Sequence, residues 1–128
     1  MSLCIAAGAA SLVMAMQSFT LVWTHSVERT EWRESWRVTP AGLMLTEARV
    51  KGSGAGMEPA TDAVWIDGWF AYRPNLQPVT QLRLAVSDAT GEGWRLCSAA
   101  GCRDLESLLP TIEGGEVVLS ACTPENRR

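Results

Sequence analysis

Basic clusters, helical periodicity and histidine are all scarce in this 128-residue chain. The formal net charge is −3 and the sequence pI is about 5.1. Lys51 is the single lysine, and Arg127 with Arg128 is too short a basic run to matter. The electrostatic footprint of a nucleic-acid-binding protein is therefore missing. A spanning helix needs about 20 consecutive apolar residues. The stretch "LCIAAGAASLVMAM", residues 3–16, is shorter and is interrupted by Gly8 and Ser11, so the chain does not read as membrane-spanning. A secretory signal needs a basic segment ahead of its apolar run, and none precedes this one. Two strands joined near "GAA" fit it better, because Leu12, Met14 and Met16 keep a period of two. A signal-like segment is the competing interpretation. No window shows a helical period of useful length, and at most one helical turn fits near residues 104–109, stopped by Pro110.

What is abundant is alternation. Strand-like segments fall at 2–7, 11–16, 18–28, 31–38, 42–51, 63–66, 69–73, 81–87, 93–97 and 116–121. Short turns separate them, such as "TPAG", where Pro40 pre-sets φ and Gly42 closes the turn. Frequent strands with short connections predict an all-β fold, an antiparallel sandwich or open barrel of about 8–10 short strands. The length suits one domain over residues 1–128 with a single modest core. The longest expected loop is "GSGAGMEPATD", residues 52–62.

Six tryptophans are many for this length, and core packing explains most such residues; an aromatic ligand surface is the alternative. The four cysteines divide into two plausible pairs. Cys97 and Cys102 flank a short turn containing Gly101, a spacing that suits a bridge across a hairpin. Cys4 and Cys122 lie on the first and last strands and meet if those strands pair. Two bridges imply an oxidising compartment, hence the periplasmic or cell-surface side. Four buried free thiols in a cytoplasmic protein are the other possibility. C-x4-C with one distant histidine does not match a zinc pattern, and neither a metal nor a cofactor is expected.

The stretch "FTLVWTHSVERTEWRESWRV", residues 19–38, sets His25 and Glu34 on its apolar register. A hairpin turning at Arg29-Thr30 makes Val27 face Trp32, His25 face Glu34, Trp23 face Trp36 and Leu21 face Val38. Arg-Thr is a poor two-residue turn, so a bent continuous strand competes. Extended through "TPAG", the same register places Glu34 opposite Glu47 and Trp32 opposite Arg49. His25, Glu34, Glu47 and Arg49 then gather on one face, where opposed side chains have Cβ atoms about 5 Å apart. Such a cluster is either a polar network that locks the register or a ligand or proton-linked site.

Motifs for catalysis are missing. Ser26 points to the opposite face from His25, so the two do not form a nucleophile–base pair. "GSGAG" at residues 52–56 is neither a nucleophile elbow nor a phosphate-binding P-loop. It is a tight glycine loop whose N–H groups, at Ser53, Gly54 and Gly56, can hold an anion. No catalytic residue is assigned.

"FTLVWTHSVERTEWRESWRV", "GLMLTEARVKGSGAGM" and "GWFAYRP" together resemble the bacterial domain-of-unknown-function family 1850. The family's His-Ser-Val falls at His25, Ser26 and Val27, its following glutamate at Glu34, and its Gly-Ala-Gly loop at Gly54, Ala55 and Gly56. Glu31 and Trp32 depart from the Pro-Val common in the family. The resemblance implies little chemistry. It implies a small accessory or binding protein, encoded beside TRAP transporters of the TAXI type and meeting either the transporter's membrane subunit or a small anionic solute. A small hydrolase or isomerase using His25 with Glu34 or Glu47 is the alternative.

Overall fold

The computed structural model describes residues 1–24, 31–51, 63–85, 93–109 and 115–123. Eleven strands and one 3-10 turn make up the regular structure of these residues. They form two antiparallel sheets that face each other without closing into a barrel.

The smaller sheet is built from β1 (Ser2–Ala7), β2 (Ala10–Ala15), β8 (Leu82–Ala85) and β11 (Glu116–Cys122), in the order β2-β1-β11-β8. The sequence 2–16 thus becomes a hairpin, turned at Gly8 with φ 59°. Leu3, Ile5 and Ala7 point inward and are buried, and β11 answers with Val117 and Leu119. Cys4 and Cys122 are bonded to each other and staple the first and last strands.

The larger sheet has the order β10-β9-β3-β4-β5-β7-β6. Its strands are β3 (Ser18–Thr24), β4 (Glu31–Thr39), β5 (Gly42–Lys51), β6 (Val64–Ile66), β7 (Trp69–Tyr72), β9 (Arg95–Ser98) and β10 (Gly101–Asp104). The Thr39–Gly42 turn forms as the sequence predicts. The Thr39 hydroxyl donates to the Gly42 carbonyl at 2.8 Å and accepts the Ala41 N–H at 3.2 Å. Gly42 sits at φ 129°, and a Cβ there would run into the Val79 carbonyl oxygen. That close approach lets Leu43 and Val79 exchange two backbone hydrogen bonds. The β6–β7 hairpin turns on Asp67 (φ 49°) and Gly68 (φ 88°), the Asp-Gly pair that two-residue hairpins favour. Cys97 and Cys102 are directly opposed on β9 and β10 and are bonded. Strand β10 is shorter and more polar than sequence alternation detects. The 3-10 turn, Leu105–Leu108, follows it where one helical turn was expected.

The core lies between the sheets. Leu3, Ile5, Val117 and Leu119 of the smaller sheet pack against Phe19, Leu21, Trp36, Val38, Leu43 and Leu45 of the larger. At one end the sheets are tied by Trp94, whose indole N–H donates to the Ala85 carbonyl at 2.9 Å.

Candidate functional site

The pairing of β3 with β4 corrects the register expected from sequence. Trp23 is opposite Trp32, Leu21 opposite Glu34, and Phe19 opposite Trp36. The register is thus offset by four residues from the expected one, and Glu34 faces Leu21 rather than His25. A shift by an even number of residues keeps every side chain on its original face. Alternation alone therefore cannot separate the two registers, and the tryptophan pair settles the choice: the Trp23 and Trp32 rings stack at 5.8 Å, 12° apart.

A second correction concerns β4 and β5. Near the turn the expected pairs hold, Val38 with Leu43 and Trp36 with Leu45. A β-bulge follows. Thr46 is an extra residue, and the ladder resumes as Ser35–Glu47, Glu34–Ala48, Arg33–Arg49 and Trp32–Val50. Glu34 is therefore not opposite Glu47, nor Trp32 opposite Arg49. Glu47 and Arg49 lie on the outer face, where the Arg49 Nε donates to Glu47 Oε1 at 2.6 Å, and Glu34 lies on the inner face. The four-residue cluster on one face does not form. The signal was present in the sequence: Thr46 and Glu47 are consecutive polar residues between Leu43/Leu45 and Ala48/Val50.

His25, Ser26, Ser53, Gly54 and Gly56 lie outside the described residues. What the described residues fix is where the chain enters those segments. Thr24 pairs with Glu31, and Lys51 pairs with Trp69. Both strand ends are at the same end of the larger sheet, with β4 between them, so roughly 10 Å separates the two departures.

At that end the inner face carries a cross-strand row that sequence reading did not assemble. Successive pairings join Trp23, Trp32, Val50, Phe70 and Trp65 across five strands. Trp94 extends the row on the β9 side, its ring 4.7 Å from Trp23 and tilted by 42°. Trp65 and Phe70 meet edge to face at 4.6 Å, and Trp65 is 54% exposed. Burial is greatest in the neighbouring rows toward the core and least along this one, so the row is the rim of the sandwich.

Glu34 sits one row deeper, between Leu21 and Ala48, flanked along its strand by Trp32 and Trp36. Burial raises its pKa above the ordinary carboxylate value. The Trp36 indole opposes that shift. Its pull is the weaker one, because the Trp36 N–H is buried without a hydrogen bond of regular geometry. Among the described residues no cation pairs with this half-buried acid, and a carboxyl set among indoles in that way is costly to fold around.

The outer face carries different chemistry. Arg33 donates to Glu31 at 3.0 Å, and Arg33 and Lys51 lie over the Trp69 ring at 4.8 and 5.2 Å. Among the described residues, no three of His, Cys, Asp or Glu gather in a way that could hold a metal ion, and no helix is long and apolar enough to cross a membrane.

No curated protein and no solved structure matches the chain. A family model does, over residues 19–105, which run from the second residue of β3 to the first residue of the 3-10 turn and so take in all of the larger sheet except Ser18. The chain belongs to the domain of unknown function family DUF1850.

Proposed function

We propose that this protein is a non-enzymatic binding module, accessory to a TAXI-type TRAP solute transporter and working on the periplasmic or cell-surface side. The observation that carries the proposal is the aromatic rim with Glu34 just beneath it. The two segments holding His-Ser-Val and Gly-Ala-Gly leave the sheet at that same rim. A row of large amphipathic rings supplies contact area at low entropic cost, which is how binding surfaces are built. An acid kept against its burial penalty is a feature that fold stability alone does not favour. His25, Ser26, Glu34, Ser53, Gly54 and Gly56 belong to the contact region on this reading. Glu47 and Arg49, on the other face, do not.

The alternative, a hydrolase or isomerase using His25 with Glu34 or Glu47, can draw on one of these acids but not both from the same face, because Glu34 and Glu47 face opposite sides of the sheet. Two disulfides fit an oxidising compartment.

Co-purification tests the proposal. The tagged protein is expected to retain the membrane subunit of a TAXI-type transporter encoded beside it. Trp65→Ala, at an exposed position, is expected to lose that subunit while keeping its thermal unfolding. No co-purification, together with unaltered solute uptake in a deletion strain, would refute the association.

A further inference from the structure

We infer that the outer face of the larger sheet holds a second site, which binds a short-chain dianion with an acid group at each end. It is separate from the aromatic rim and does not depend on that rim being a binding surface. The site exists because of the bulge. Thr46, the extra residue, points outward beside Ser35 and donates its hydroxyl to the Ser35 carbonyl at 3.0 Å. A bulge bends its strand and deepens the local twist. Two recesses open there, of about 390 and 400 Å³, and they share Ser35 and Thr46. Together they form one groove across β9, β3, β4 and β5.

Its lining mixes hydroxyls with apolar surface from Phe19, Trp36 and Ala99. The first recess presents the hydroxyls of Ser18, Thr20, Ser35, Thr46 and Ser98, and among the described residues that line it Arg37 is the only ionisable side chain. The second adds Arg73 and Glu47. Glu47 is already held by Arg49, so its charge is compensated. Among the described residues, Arg37 and Arg73 make no ion pair, unlike Arg33, Arg49 and Arg83. Arg37 lies on β4 opposite Met44 of β5, and Arg73 directly follows Tyr72, whose partner is Ala48. Two strand spacings and about two residues of rise put the two α-carbons roughly 12 Å apart. Side chains of that reach, turned inward, bracket a ligand of four to six carbons. Guanidinium forks recognise carboxylates at both ends, and the hydroxyls of Ser18, Thr20, Ser35 and Ser98 serve as further donors to the carboxylate oxygens, whereas that of Thr46 is committed to the Ser35 carbonyl. A monoanion engages only one fork.

Titration of the full, isotope-labelled chain with glutarate, followed by amide chemical shifts, tests this. Saturable shifts are expected at Thr20, Ser35 and Thr46, with a half-saturation concentration about tenfold below that of acetate. Arg37→Gln and Arg73→Gln are each expected to raise the glutarate value about tenfold, to the level of acetate. Both residues are exposed, so neither change threatens the fold. Equal affinity for acetate and glutarate overturns the inference. So does unaltered binding in both variants, or saturable shifts confined to Leu21, Trp32 and Ala48 on the opposite face.

Discussion

At the scale of single residues, Glu34 is the most informative side chain. Its carboxyl is raised by burial, so the folded state holds the proton more tightly than the unfolded chain. The sign follows directly. The stabilising contribution of the protonated form is complete below the unfolded pKa and is lost as pH rises through the higher folded one. Thermal unfolding of the native protein should therefore gain from this group on acidification below neutrality. Glu34→Gln should be more stable than the native protein at pH 7, with the difference vanishing at pH 4. Equal melting temperatures at pH 7 would contradict the burial argument. Gly42 makes a simpler case. Its φ of 129° and the Val79 carbonyl beside it leave no room for a methyl group. Gly42→Ala should cost about 2–4 kcal/mol in urea unfolding. The glycine was legible in "TPAG" as a turn closer. The obstacle to a side chain was not, because Val79 is far away in sequence.

At the scale of elements, the bulge in β5 divides what could be read from what could not. Alternation located nearly every strand, since one buried face imposes a period of two. It failed at Thr46 for the same reason, because one extra residue inverts the faces of everything after it. Leu43 and Leu45 kept their expected partners, whereas Glu47 and Arg49 changed sides. In β3 the error was of another kind. The register slipped by four, the faces survived, and only the stacked Trp23–Trp32 pair chose the true alignment. Strand β10 gave no signal because all four of its residues are exposed. The bulge yields a sharp expectation. Deleting Thr46 leaves Ser35 opposite Glu47 and Glu34 opposite Ala48, so every core residue keeps its face. The cost should be one hydrogen bond, about 1 kcal/mol in urea unfolding, with near-UV circular dichroism preserved. Dianion binding should be lost, because the groove is made by that residue. A deletion variant that unfolds would show that the bulge is structural.

At the scale of the whole molecule, the two disulfides do unequal work. Cys4–Cys122 closes a sequence separation of 118, and Cys97–Cys102 one of 5. Loop-closure entropy assigns about 5 kcal/mol to the long one and about 2 kcal/mol to the short one. The double change Cys4→Ser/Cys122→Ser should therefore lower stability more than Cys97→Ser/Cys102→Ser, by about 3 kcal/mol in denaturant unfolding. Equal losses would mean that the unfolded chain is already compact. Both pairings were accessible from sequence, one from hairpin spacing and one from the placement of Cys4 and Cys122 on the first and last strands. The aromatic rim was not, because it joins five strands whose order in space, β3-β4-β5-β7-β6, departs from their order along the chain. The pairing of β1 with β11 also governs timing. As the polypeptide emerges, β1 and β2 can zip together at once, but the other neighbour of β1, strand β11, arrives only after β3 to β10 have been made. The smaller sheet is thus half-built throughout synthesis. Cys4 spends that interval as an unpartnered thiol, while Cys97 and Cys102 find each other within a few residues. Errors of oxidation should concentrate on Cys4, and an isomerase that reshuffles them would act on this one bond.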